Sequence, residues 1–283
     1  MILGALILVS AIALGLLLGG TFNRKPEEPE IVIDEPVEVD IYEQVKQTWQ
    51  DNKQINSDYV GELIFDSGLI NVSFVQAKSC FKEDGSLYKF YTEDGRLVND
   101  AAGYSGNDVY IWTYWKTGEY DYNDHGGSTF MDYRNEINDE NLIIYGHHFS
   151  VWNDETRSKA FTPLEQLMEQ ENYAANSKVT MVLGNEIRLY EVAAVYTFDA
   201  TDDSYFEDCQ YWRTAYNYDD YTDTVDNDYY RRYIDKVRSI QLYDTGVKWD
   251  TSDKTLTLQT CISGHTGELF EIVVLKQVEV LPY

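Results

Sequence analysis

The chain has 283 residues, and 49 acidic against 22 basic side chains give it a formal charge of −27. That argues against a nucleic-acid binder, which needs a basic stripe to neutralise phosphates, and against a polybasic dock on anionic lipid. Hydrophobic residues are 43% and aromatics 14%, with 24 Tyr, so the chain is no disordered acidic tail. Three Cys are too few for a disulfide scaffold and lack the CxxC spacing of a zinc site.

Residues 1–23 carry no charged side chain, and Ser10 is the only polar one in the run ILGALILVSAIALGLLLGG over 2–20. At about 1.5 Å per residue this run nearly crosses a ~30 Å hydrocarbon layer. It is longer than the apolar core of a cleaved signal peptide, the competing reading, so residues 1–22 are expected to be a membrane anchor. Arg24 and Lys25 follow it, and the positive-inside rule alone would leave the C-terminal side in the cytoplasm. Residues 23–40 are expected to be an acidic linker, with Pro26, Pro29 and Pro36 opposing helix.

The folded domain is expected over 41–283. The spacing of Ile41, Val45, Thr48 and Trp49 suits an amphipathic helix over 41–54. Strand-like runs follow at 59–65, 69–76, 109–115, 141–146, 178–183, 188–198, 255–261 and 269–280, rich in Val, Ile, Tyr and Thr. Eight strands with few helices predict a mostly β chain closed into a barrel. Peripheral helices are expected near 160–172 and 227–240, and no internal repeat is recognised. Residues 199–228 hold ten acidic side chains and Arg213 as their one basic side chain. They read as a solvated segment, with Ca²⁺ binding a sharper option that no ligand spacing supports. The stretch DYNDHG over 121–126 reads as a turn.

Cys261 ends the strand TLTLQTC and His147 ends NLIIYGH, directly after Gly146. Glycine there permits a sharp turn or a close approach of a backbone. A thiol with a pKa near 8.5 is only about 3% thiolate at pH 7. A nearby imidazole remedies that, and the same ring then protonates an amine leaving group. A lone Cys is otherwise a core residue.

TLQTC and NLIIYGHH resemble the two signature segments of sortases. INSDYVGELIF (55–65), INVSFVQ (70–76) and FMDYRN (130–135) add a more specific resemblance to class B sortases, which covers roughly 41–280. The His-before-Cys order fits this family and not papain-like enzymes. The resemblance implies a closed eight-stranded sortase-type β-barrel with Cys261 as nucleophile and His147 as acid and base. It places Thr260, Leu269 and His148 at the substrate. It implies cleavage of a C-terminal sorting signal of the LPxTG or NPxTx type through a thioester on Cys261. Transfer then goes to an amine of peptidoglycan or of a pilin. Neither metal nor organic cofactor is required. It also places the domain outside the membrane of a Gram-positive cell, held by the N-terminal anchor.

The chain departs from the family in three places. Sortases carry an Arg on the strand after the Cys, yet no Arg follows Arg238, and Leu269 or a neighbour occupies that place. Gln259 precedes TC where Ser or Ala is usual. Residues 79–107 read as an insertion. The missing Arg supports an alternative, a sortase-fold binding protein with weak or no transpeptidase activity. His265, Arg188 and Arg134 are candidate replacement donors. Their plainer readings are a loop His, an exposed strand charge and a structural ion pair. A zinc cluster of His147, His148, His125 and His265 lacks the spacing for a metal site. Cys80 and Cys209 form a disulfide only if the fold brings them together. The acid at Asp219, Asp220 and Asp223 is expected to favour a cationic acceptor.

Overall fold

Strand β1 (Tyr59–Phe65) buries every second residue, because successive side chains leave a strand on opposite faces. The same alternation runs through β9 (Thr255–Cys261) with both faces covered. Leu256 and Leu258 enter one apolar cluster with Leu63, Phe74, Ile144 and Val273. Thr257 on the opposite face donates to Asn141 Oδ1 at 2.9 Å. A chain with sheet buried on both sides needs a closed inner core and an outer cover, and this one has both. The structure, a computed structural model, describes residues 41–149, 159–199, 227–262 and 269–283.

The barrel closes in the order β1, β2 (Asn71–Val75), β5 (Thr129–Met131), β6 (Asn141–Tyr145), β9, β10 (Leu269–Pro282), β8 (Glu186–Asp199), β7 (Lys178–Val182) and back to β1. Neighbours are antiparallel except β2 with β5 and β6 with β9. Closure leaves no unpaired strand edge in the ring. Helix α5 (Asn227–Ile240) covers the outer face of β6, β8 and β10. There Tyr230, Tyr233 and Val237 pack on Ile143, Tyr196 and Val274. Helix α1 (Ile41–Ile55) docks through Trp49, whose indole N–H donates to the Val60 carbonyl at 2.8 Å.

The barrel has the predicted eight strands, but one member differs. The run 109–115 is not a barrel strand. It forms a helical turn α2 (Asp108–Ile111) and then β3 (Thr113–Tyr114), which pairs only with β4 (Glu119–Tyr120). Its aromatic residues bury elsewhere, Tyr110 and Trp115 joining Tyr59 and Phe90 in a third cluster. The missing rung is β5, three buried residues with no alternation to mark them. The helix expected over 160–172 also divides. A 3₁₀ segment, Thr162–Met168, ends at the extended residue Glu169, and α4 (Gln170–Asn176) begins there.

The segment 79–107 holds a repeat that the sequence reading did not recognise. Phe81 bridges Leu87 and, ten residues on, Tyr91 bridges Leu97. Each turn carries Glu-Asp-Gly. Gly85 and Gly95 take φ of 80° and 76°, a region that glycine enters without strain. In each turn the Asp accepts from a local hydroxyl, Asp84 from Ser86 and Asp94 from Thr92.

Residues 1–22 and 23–40, read as anchor and linker, lie outside the described residues, as do 200–226 with Arg213 and Cys209, and His265. Among the described residues no helix is long and apolar enough to cross a membrane.

Candidate active site

Parallel pairing of β6 and β9 sets the site. The register places Tyr145 beside Gln259. Contact continues past the end of β6, with Gly146 N donating to Gln259 O at 3.2 Å and Thr260 Oγ1 to Gly146 O at 2.8 Å. Two residues beyond the Tyr145–Gln259 pair, His147 is therefore level with Cys261. Alternation gives both the outer face, shared with Ile143 and Thr257. Gly146 is needed for a close approach: a Cβ there would lie 2.6 Å from the Phe161 ring. Phe161 N also donates to His147 O at 2.9 Å, which fixes the chain where the His leaves the sheet.

The His147 ring is gripped by the segment between the insertion and β5. Nε2 lies 2.5 Å from the Ile111 carbonyl. A carbonyl only accepts, so Nε2 carries the proton and Nδ1 of the neutral ring keeps its lone pair. Trp112 packs on the ring at 4.7 Å between centroids, and Tyr122 meets it edge-on at 5.6 Å and 84°. Burial pulls the His147 pKa below its ordinary value, opposed by the Ile111 carbonyl and by the charge of Glu93. At neutral pH the ring is therefore an uncharged base. Cys261 is a partly exposed thiol, as a nucleophile must be.

Tyr122 comes from the helical turn α3 (Tyr122–His125), which ends at Gly126 with φ of 69°. A Cβ on Gly126 would reach 2.8 Å from the Phe149 ring, so this turn closes tightly against His147 and Phe149. The stretch 121–126 is thus a turn, as expected. His125 within it pairs with Asp121 at 2.7 Å and stacks on Tyr114.

The other sequence candidates are placed differently from the pair. Thr260 faces inward and clamps Gly146. His148 is buried, with Nε2 3.1 Å from Glu165 Oε2. Leu269 is not the residue across from Cys261. That place on β10 belongs to Phe270, whereas Leu269 pairs with Asp199 on β8. Alternation accounts for all three, since each is one residue off the Cys261 face. Arg134 is the expected structural ion pair, 2.6 Å from buried Asp132. Burial alone would raise the Asp132 pKa, but hydrogen bonds and charge from Arg134 hold it below its ordinary value. Arg188 is not an exposed strand charge; it is 4% exposed and bound to Glu186 and the Ile137 carbonyl. Cys80 is a buried thiol. Among the described residues no three metal-binding side chains converge.

Glu271 was not singled out in the sequence. It pairs with Thr260, points to the inner face and is 1% exposed. Neither carboxylate oxygen has a hydrogen-bond partner. Burial, and then the charge of Glu165, push its pKa up to about 8. Ile111, Trp112, Tyr122 and Phe270 were also missed as site residues. The only sequence sign was the aromatic density of 110–122.

A closed barrel with a Cys and a His level at the ends of parallel neighbours is a sortase-type arrangement. The fold is that of class B sortases. Solved structures similar to this chain include Clostridium perfringens sortase B, at 21% identity and TM-score 0.57, covering 81% of this chain and 99% of that one. A Staphylococcus aureus sortase B–substrate complex matches at 20% identity and TM-score 0.58, covering 83% of this chain and 86% of that one. Curated relatives agree. Sortase B of Listeria monocytogenes is 29% identical over 137 residues, 48% of this chain and 47% of its own length. Sortase B of Staphylococcus aureus is 25% identical over 155 residues, 54% of each chain. The matches span about half the length of these curated relatives. No family model matches the chain.

Proposed function

We propose that the protein is a cysteine transpeptidase of the sortase type. The observation that carries this reading is the level placement of Cys261 and His147 on one face of β9 and β6. Nδ1 of His147 takes the thiol proton, and the Ile111 carbonyl supports the imidazolium at Nε2. The thiolate attacks a peptide carbonyl, the imidazolium protonates the departing amine, and a thioester remains on Cys261. An incoming amine then gives up its proton to His147 and forms a new amide. Among the similar structures, one is described as a sortase B–substrate complex and another as sortase B complexed with triglycine. These support a sorting-signal peptide as donor and an amine as acceptor. The apolar run 2–20 supports a membrane anchor, and the sortase resemblance, against the positive-inside rule, supports a domain outside the cell.

The second reading, a binding protein on the same fold, draws on Phe270, an apolar ring across from Cys261. One experiment separates them. The full chain is incubated with peptides of the LPxTG and NPxTx types and an amine. Cleavage with transfer, lost in Cys261→Ala and in His147→Ala, is expected. Binding of the same peptides without cleavage would favour the second reading.

A further inference from the structure

Attack on a peptide carbonyl creates an oxyanion, and an oxyanion in a partly buried site needs a hydrogen-bond donor. Among the described residues, neither the side chain across from Cys261 nor the backbone amide after it supplies one. Phe270 across from it on β10 has no donor. The next backbone amide, Ile262 N, is already committed to Leu269 O at 3.0 Å.

Tyr122 is placed to fill the gap. Its ring is clamped by Trp112 at 5.1 Å, by Phe149 at 5.3 Å and by the edge-on contact with His147 at 5.6 Å. The ring is held on several sides, yet its hydroxyl makes no hydrogen bond among the described residues. An ordered phenol with an uncommitted O–H, beside the His that is level with the Cys, is a preorganised donor.

We propose that Tyr122 is a catalytic residue whose hydroxyl donates to the oxyanion formed at Cys261. This rests on the transpeptidase reading for its substrate, but not for its chemistry. The Sγ–C bond forms as the carbonyl π pair moves onto oxygen, and the Tyr122 O–H holds that oxygen without giving up its proton. Collapse restores C=O and breaks the C–N bond, and His147 supplies the proton to the amine. The phenol stays protonated throughout, because burial, then Glu93, Tyr120 and the charge of Cys261, all raise its pKa.

The test compares two reactions of Cys261 in the full chain. Acylation by p-nitrophenyl acetate passes through an oxyanion, whereas alkylation by iodoacetamide does not. Tyr122→Phe keeps the ring and its clamps. It is expected to slow acylation about a hundredfold and leave alkylation within twofold. Equal loss of both rates, or loss of neither, overturns the proposal. If Tyr122→Phe lowers the thermal midpoint, a fluorinated tyrosine at 122 keeps the ring and makes the phenol more acidic. Its acylation is then expected to fall off at lower pH than in the parent, and an unshifted profile overturns the proposal. Failure of the parent to cleave any sorting peptide, with the acylation–alkylation split intact, would sink the transpeptidase reading while Tyr122 stands.

Discussion

In the proposed mechanism His147 acts as a base because its ring is uncharged at rest. A ring whose folded pKa lies below the ordinary 6.5 binds fewer protons than it does in the unfolded chain. Its contribution to stability is therefore present above that ordinary value and is lost as pH falls through the folded one. A proton NMR titration of His147 should show a midpoint below 6.5, and Glu93→Gln should move it lower still, since Glu93 pulls the other way. A midpoint above the ordinary value would mean that the pair rests as thiolate and imidazolium. Cys261 and His147 were singled out in the sequence because each closes an apolar strand and because of the sortase resemblance, and the register of β6 and β9 brings them level. Their companions were not legible in the same way. Alternation puts Gln259 and not Thr260 on the Cys261 face, but which face turns outward depends on register, and a slip of one residue exchanges every side chain between faces. Leu269, His148 and Thr260, expected at the substrate, each lie one residue off the face that carries Cys261 and His147.

At the scale of elements, two glycines hold the site together. A Cβ on Gly146 would strike the Phe161 ring at 2.6 Å, and one on Gly126 would strike Phe149 at 2.8 Å while φ there is 69°. Gly146→Ala should destabilise the fold by about 1–3 kcal/mol as Phe161 is pushed from its place. Urea denaturation would measure it, and an unchanged midpoint would mean that the ring moves freely. Gly146 was expected to admit a backbone, and it is the Phe161 side-chain ring that comes close. The reading of 109–115 as a strand does not hold, because β-branched and aromatic residues mark burial as much as extension. Here Tyr110 and Trp115 are buried between Phe90 of the segment 79–107 and Tyr59 and Val75 of the barrel, and not as members of a barrel strand. That segment packs on the element leading into the site. Tyr91 meets Tyr120 at 5.7 Å, and Lys89 and Tyr91 both reach Glu119. The two Glu-Asp-Gly turns are thus a buttress for the turn that carries Tyr122.

Across the whole molecule, the runs that become long strands were readable from composition, and the ring order was not. Pairing β6 with β9 joins segments more than a hundred residues apart, and no local pattern encodes that contact. The closed core also buries one carboxyl at odds with its surroundings. Glu271 has a pKa of about 8 when folded, well above its value in an unfolded chain. A raised acid binds more protons folded than unfolded, so stability should fall as pH rises from about 4.3 to about 8 and level off above that. Glu271→Gln should flatten that slope in thermal scans, and an unchanged slope would assign it to other groups. The net charge of −27 acts at the same scale. Transfer to a cationic amine should slow with added salt more than thioester formation does, as a long-range field is screened. Equal salt dependence of the two steps would remove that role.

The proposed chemistry is covalent, with a peptide acyl group carried on Cys261. It is tested most directly by mixing the full chain with a sorting-signal peptide, quenching in acid and mapping the mass adduct. A thioester on Cys261 is expected, which disappears on adding an amine and is absent in Cys261→Ala. A folded chain that cleaves no peptide and carries no adduct, or carries it on another residue, would contradict it.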